Sequence, residues 1–155
     1  MVFREGDNIG KYRDILKHLL TSQQVGILAT QDREQPYTSL VAFAANKDLK
    51  TIIFVTAGGT RKYINIMNNS KVSLLIHNYS GDVLDFSKAV AVTILGKAKE
   101  ASPQDLDYLT DLYLKKHRYL ENFIRRPGNK LIMITVHDYI IATFNETIHI
   151  YAQDL

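Results

Sequence analysis

The chain has 155 residues, 46% of them hydrophobic and 23% charged, which suits one domain with one real core. Its net charge of +3 permits an anionic ligand without the dense basic face of a nucleic-acid binder; the cations are dispersed apart from "TRK", "LKKHR" and "IRRPGNK". The absence of cysteine removes disulfides, thiolate metal sites, iron–sulfur clusters and cysteine nucleophiles together, and no apolar run approaches the roughly 20 residues of a membrane span.

Residues 1–20 carry recurrent charges and no small-residue cleavage site behind an apolar block, so a cytoplasmic location is expected. Residues 9–20, "IGKYRDILKHLL", place Ile9, Tyr12, Ile15, Leu16, Leu19 and Leu20 at helical spacing. "VGILAT" (25–30) follows as a buried strand, and the polar "QDREQP" (31–36) as a hairpin connection. "YTSLVAFAA" (37–45) and "TIIFVT" (51–56) are the next strands, joined by "NKDLK". A short helix is predicted from Arg61 to about Asn68, then a strand "KVSLLIHN" (71–78), a looser connection 79–89 and a long strand 90–101. "SPQD" (102–105) predicts a helix start, with Ser102 as cap and Pro103 in the first turn. That helix runs through "DLDYLTDLYLKKH"; after the turn "RRPGN" (125–129), strands 130–144 and 147–153 close the chain. Strands joined by short turns pair antiparallel, and about seven of them in so small a single domain favour closure into a barrel.

The stretch "TAGGTRK" (56–62) is the most informative. A strand ends, two glycines follow, Thr60 sits where an N-cap belongs, and Arg61 and Lys62 open a helix. A helix N-terminus gathers free N–H groups and the positive end of the dipole. Arg61 adds a planar fork and Lys62 a mobile charge, a donor set suited to a phosphate. The other reading is a plain turn with a solvated first helical turn. The spacing is not that of a Walker loop.

Residues 25–76 resemble the core of the pyridoxamine 5′-phosphate oxidase-like FMN-binding split barrels. The resemblance rests on Ala29-Thr30, Pro36, Thr56, Gly59-Thr60-Arg61-Lys62, Asn65, Asn69 and Val72-Ser73-Leu74-Leu75, in that order, and extends weakly through "ILGKAKEA" and "YLKKHRYLENF". It implies a mainly β fold with flanking helices, an antiparallel split barrel, and a homodimer with FMN in each of two clefts between subunits. Thr60, Arg61 and Lys62 would hold the phosphate; Val55 and Thr56 would lie along the flavin; Ser39, Leu40 and Val41 would border it. The implied activity is that of an FMN-dependent oxidoreductase acting on a small molecule, with an electron donor such as NAD(P)H. The alternative is a non-catalytic flavin- or haem-binding relative, and F420 is a further cofactor of the same kind. Compared with the oxidases proper, Ser39 and Ala44 stand where Arg and Lys are expected, Ala91 stands for a glutamine, and no Arg–His motif follows Tyr151. Vitamin B6 oxidation is therefore not the activity to expect.

The remaining candidates point to structure first. The five histidines form no zinc motif, so no metal site is expected. His117 is either a haem ligand or a helix-end residue at the negative pole of the dipole. Asp82 and Asp85 read as a solvated loop sooner than an acid–base pair. Tyr108, Tyr113 and Tyr119 read as packing or interface residues, or as a wall for a planar ligand. No catalytic residue is assigned, and neither a nucleic-acid nor a membrane partner is expected.

Overall fold

The structure, a computed structural model, describes residues 9–155. The start of the segment read above as lacking a leader lies outside the described residues. The helices are α1 (Ile9–Ser22), α2 (Arg61–Asn68), α3 (Leu106–Lys116) and the single turn α4 (Glu121–Ile124). The strands are β1 (Val25–Asp32), β2 (Gln35–Ala45), β3 (Thr51–Ala57), β4 (Lys71–His77), β5 (Ala91–Glu100), β6 (Asn129–Ala142) and β7 (Thr147–Tyr151). All pairings are antiparallel in the order β3-β2-β1-β4-β5-β6-β7, and a further β3–β6 ladder closes the first six into a barrel. Closure leaves only β7 outside. It uses the length of β6: residues 129–135 pair with β3 and residues 138–142 with β7, while β5 follows β6 on its other side. Between Leu95 and Gly96 the β5–β6 register slips, leaving His137 as the extra residue of a bulge. A Cβ at Gly96 would sit 2.4 Å from the Thr135 carbonyl oxygen, so only glycine fits where the strands crowd.

One core fills the barrel, with Phe43, Phe54, Ile52, Leu74 and Ile94 fully buried and Leu16, Leu19 and Leu20 of α1 packed into it. A second cluster lies outside β3, where Ile53 and Val55 meet Leu109 and Tyr113 of α3. β3 is thus buried on both faces, and this explains why "IIFV" is apolar without alternation.

Three local expectations are corrected. "QDREQP" is mostly ladder: the turn is only Arg33-Glu34, both at positive φ (50° and 67°), and the pairing runs to Asp32↔Gln35. Pro36 is tolerated inside β2 because its missing N–H falls on the side with no partner strand. α3 begins at Leu106, after a turn in which the Ser102 hydroxyl bonds the Asp105 carboxylate at 2.7 Å, not a helical N–H. The last strand stops at Tyr151 and gives way to a 3-10 turn over Ala152–Asp154. The 79–89 connection contains a 3-10 segment, Val83–Lys88; Asp82 caps it by accepting from Leu84 N–H, and Asp85 accepts from the Ser80 hydroxyl. Both carboxylates therefore have local structural roles. No helix among the described residues is long and apolar enough to cross a membrane.

Candidate functional site

β2 and β3 pair over only Phe43↔Phe54, Ala44↔Ile53 and Ala45↔Ile52, then diverge. Beyond Phe43, β2 is bonded to β1 alone. Phe43 N–H donates to the Gln24 carbonyl, which sets the phase of the β1–β2 ladder. Residues 39 and 41 therefore bond toward β1, and Leu40 and Ala42 turn their N–H and C=O toward the split. The Tyr113 hydroxyl takes the Ala42 carbonyl at 3.3 Å and ties α3 across the gap.

The split opens into a cleft of about 380 Å³. Leu40, Val41 and Ala42 form one side, and Val55, Thr56 and Ala57 the other. Tyr113, Leu120 and Phe123 close it from the helical layer, and Thr60 and Lys62 stand at its head. The head is organised by a one-directional chain of hydrogen bonds. The Thr60 hydroxyl donates to the Ala57 carbonyl (2.9 Å), so in the 2.9 Å contact between the two threonine hydroxyls Thr56 must be the donor. Lys62 Nζ in turn donates to Thr56 Oγ1 at 3.5 Å. Thr60 also caps α2, accepting from Tyr63 N–H at 3.4 Å. Its single proton is thus committed to the fold, and the donors left for a ligand are the other two of Lys62, the outer guanidinium nitrogens of Arg61 and the backbone N–H groups of Arg61 and Lys62. Burial lowers the pKa of the Lys62 ammonium.

Neither cation has a carboxylate within ion-pair distance among the described residues. A Cβ at Gly58 would press on the Gly128 carbonyl oxygen at 3.3 Å, whereas one at Gly59 would meet no atom within 4 Å, and neither glycine has positive φ. Packing therefore accounts for Gly58. Gly59 leaves open space beside the helix start. The donor set, the missing counter-ions and the apolar body of the cleft fit a planar molecule carrying a phosphate.

Of the residues singled out by the sequence, Leu40, Val41, Val55, Thr56, Thr60 and Lys62 line this one cleft. Ser39 does not: it shares the inward face of Val41 and Phe43, and its Oγ is buried without a partner. Arg61 also lies off the lining, with its Nε donating to Asn65 Oδ1 at 3.1 Å. Ala42, Ala57, Tyr113, Leu120 and Phe123 were not assigned to a site by sequence, though Tyr113 belongs to the tyrosine set considered as a wall. Its partners in that set, Tyr108 and Tyr119, are exposed, while Tyr113 is buried, and burial raises the pKa of its hydroxyl. His117 is fully buried and caps α3; Nε2 bonds the Phe43 carbonyl at 2.6 Å and so carries the proton, and Nδ1 faces the Tyr119 hydroxyl at 3.4 Å. Burial lowers its pKa, against the opposing effect of the carbonyl bond. A larger hollow of about 520 Å³ lies between α1 and α3 and holds Lys17, Lys47, Lys115 and Lys116. No capped helix start faces it, and Lys116 is already bonded to two carbonyls of the α1 end. No cluster of three or more metal-ligating side chains occurs among the described residues.

An antiparallel barrel whose second and third strands part over a cleft, with a capped helix at its head, is a split barrel. The family model of pyridoxamine 5′-phosphate oxidase matches residues 13–140, and the chain belongs to that family. A curated relative, the pyridoxamine 5′-phosphate oxidase C1952.08c homolog of Schizosaccharomyces pombe, is 32% identical over 82 residues, covering 48% of this chain and 43% of that protein. This chain thus matches less than half the length of that relative. Among solved structures, a heme binding protein from Mycobacterium smegmatis has a TM-score of 0.80 over 91% of this chain and 58% of its own, at 15% identity. A FAD-binding protein from Mesorhizobium loti has a TM-score of 0.65 over 81% and 87%, also at 15% identity. At such identities the likeness is one of fold.

Proposed function

We propose that this chain is a flavoprotein that binds FMN in the β2–β3 split, works as a homodimer and serves as an oxidoreductase toward a small molecule. The observation that carries the reading is Lys62 at the head of an apolar cleft, with Arg61 beside it on the first turn of α2, both without a carboxylate counter-ion among the described residues. Family membership and the FAD-binding neighbour support a flavin. Lys62 Nζ, the Arg61 fork and the first-turn N–H groups would hold the phosphate. Val55, Leu40 and Tyr113 would flank the rings, and the split-facing N–H and C=O of Leu40 would meet a polar edge. Tyr113, Leu120 and Phe123 exclude water from the cleft floor. FMN, when bound, supplies the hydride and electron chemistry that no side chain here offers. The cleft lining contains no Asp, Glu or His, and its titratable groups are Lys62 and Tyr113.

The dimer would use the outer barrel face. Leu40, Ile27 and Leu75 lie in one register row across β2, β1 and β4, and Leu40 is 67% exposed. Val25 adds to this apolar surface, and Val83, Leu84 and Phe86 protrude nearby in sequence from the 3-10 segment. Such a surface is of the kind a second copy covers, and it borders the split at Leu40.

A flavin carrier without turnover is the second reading, favoured by the bare cleft lining and by Ser39, Ala44 and Ala91 where the oxidases carry polar groups. Haem is disfavoured through His117, because both ring nitrogens are engaged. The test is an absorption spectrum of the native protein, with the cofactor released by denaturation identified by mass, followed by reduction with NAD(P)H. FMN, reduced faster than free FMN, is the expected result. FMN without acceleration selects the carrier. A Soret band, or a colourless protein that refuses added FMN, overturns the proposal.

A further inference from the structure

Arg61 reaches inward to a buried polar relay that the phosphate corner itself does not require. Asn65, one turn along α2, has no exposed surface. Its Oδ1 accepts from Arg61 Nε at 3.1 Å, and its Nδ2 donates to Thr30 Oγ1 of β1 at 3.0 Å. Thr30, 2% exposed, donates on to the Tyr37 carbonyl of β2 at 3.5 Å. An arginine is only a donor, so the amide must present its oxygen to Arg61 and its nitrogen to Thr30. With its hydroxyl accepting from Asn65, Thr30 is left to donate to Tyr37. The direction of every bond follows from the guanidinium. A bond to Nε leaves both outer nitrogens free and sets the plane of the fork, which matters because bidentate phosphate binding depends on that plane.

We propose that Asn65 is a positioning residue that orients Arg61 for a phosphate, and that the relay from β2 through Thr30 makes the site select a phosphorylated flavin over its unphosphorylated form. This rests on the reading of the cleft as an FMN site. Lys62 needs no such relay, since Thr56 already holds it within the cleft head. A buried asparagine that merely joined α2 to β1 would affect both ligands alike, whereas a positioning role acts on the phosphate alone.

The experiment is a fluorescence titration of the apoprotein with FMN and with riboflavin. The wild type is expected to prefer FMN by at least about tenfold, 1.4 kcal/mol. Asn65→Leu should lose most of that preference while binding riboflavin as before, and Thr30→Val should move the ratio the same way by less. In an Arg61→Ala background, Asn65→Leu should change the ratio no further. An unchanged ratio in folded Asn65→Leu, or an equal loss without Arg61, overturns the inference. Should Asn65→Leu not fold, an unchanged ratio in Thr30→Val does the same. A wild type that binds riboflavin as tightly as FMN removes the phosphate corner itself, and this inference with it.

Discussion

Two basic stretches that look alike on paper have opposite surroundings in the fold. Lys115, Lys116 and His117 end α3, where cations favour the negative pole of the dipole. There Lys116 Nζ donates to the Leu20 and Gln23 carbonyls at 2.7 and 2.6 Å and lies 3.9 Å from the Phe43 ring centroid. Its charge is spent on terminating α1, and burial pushes its pKa down to about 8. Arg61 and Lys62 open α2, where positive charge opposes the dipole at about 0.3–1 kcal/mol each. They find a threonine hydroxyl and an amide oxygen but no carboxylate. A satisfied cation belongs to the scaffold. The proposed phosphate site rests on an unsatisfied pair placed against the dipole, beside an apolar hollow.

The comparison breaks most visibly at Lys116. Lys116→Ala strips a charged donor from two carbonyls and should destabilise the fold by about 2 kcal/mol in a denaturant titration. An unchanged midpoint would put Lys116 among the idle surface charges. A smaller effect concerns pH. The folded pKa of Lys116 is depressed to about 8 from the ordinary 10.5, so between those values the unfolded chain keeps a proton that the folded chain has released. Stability should therefore rise with pH across this window, by roughly 1 kcal/mol once partial exposure is allowed for. Lys116→Met should lack that rise; if it shows the same slope, another group is responsible. The smallest effect is at the other helix end. Replacing Arg61 and Lys62 together by Ala relieves a dipole penalty of about 0.3–1 kcal/mol per charge but leaves the buried Asn65 Oδ1 without its Arg61 partner, so apoprotein stability should fall by less than about 1 kcal/mol. A loss as large as that of Lys116→Ala, about 2 kcal/mol, would make them structural.

Much of this was legible in the chain. Barrel closure followed from many short strands with short turns, and the capped start of α2 from a strand end, a glycine pair and Thr60; the phosphate there is a proposal. Pro36 misled because a proline marks a connection only where the strand needs its N–H, and β2 has a free side there. Ser39 alternates with Leu40 along β2, and its side chain shares the inward face of Phe43, which the strand pattern alone could have told. The helical wall was hidden for another reason. Tyr113, Leu120 and Phe123 come from far along the chain, and nothing local in a helix pattern says which strand gap it will cover. Asn65 stood in the motif without a role, and its partner Thr30 on β1 appears only once α2 packs on the barrel.

The most direct measurement is calorimetric titration of FMN into the apoprotein and into the folded Arg61→Ala/Lys62→Ala variant. The account predicts at least tenfold weaker binding in the variant, about 1.4 kcal/mol, with the apoprotein still folded. Equal affinity in the two proteins would contradict it and return "GGTRK" to being a turn.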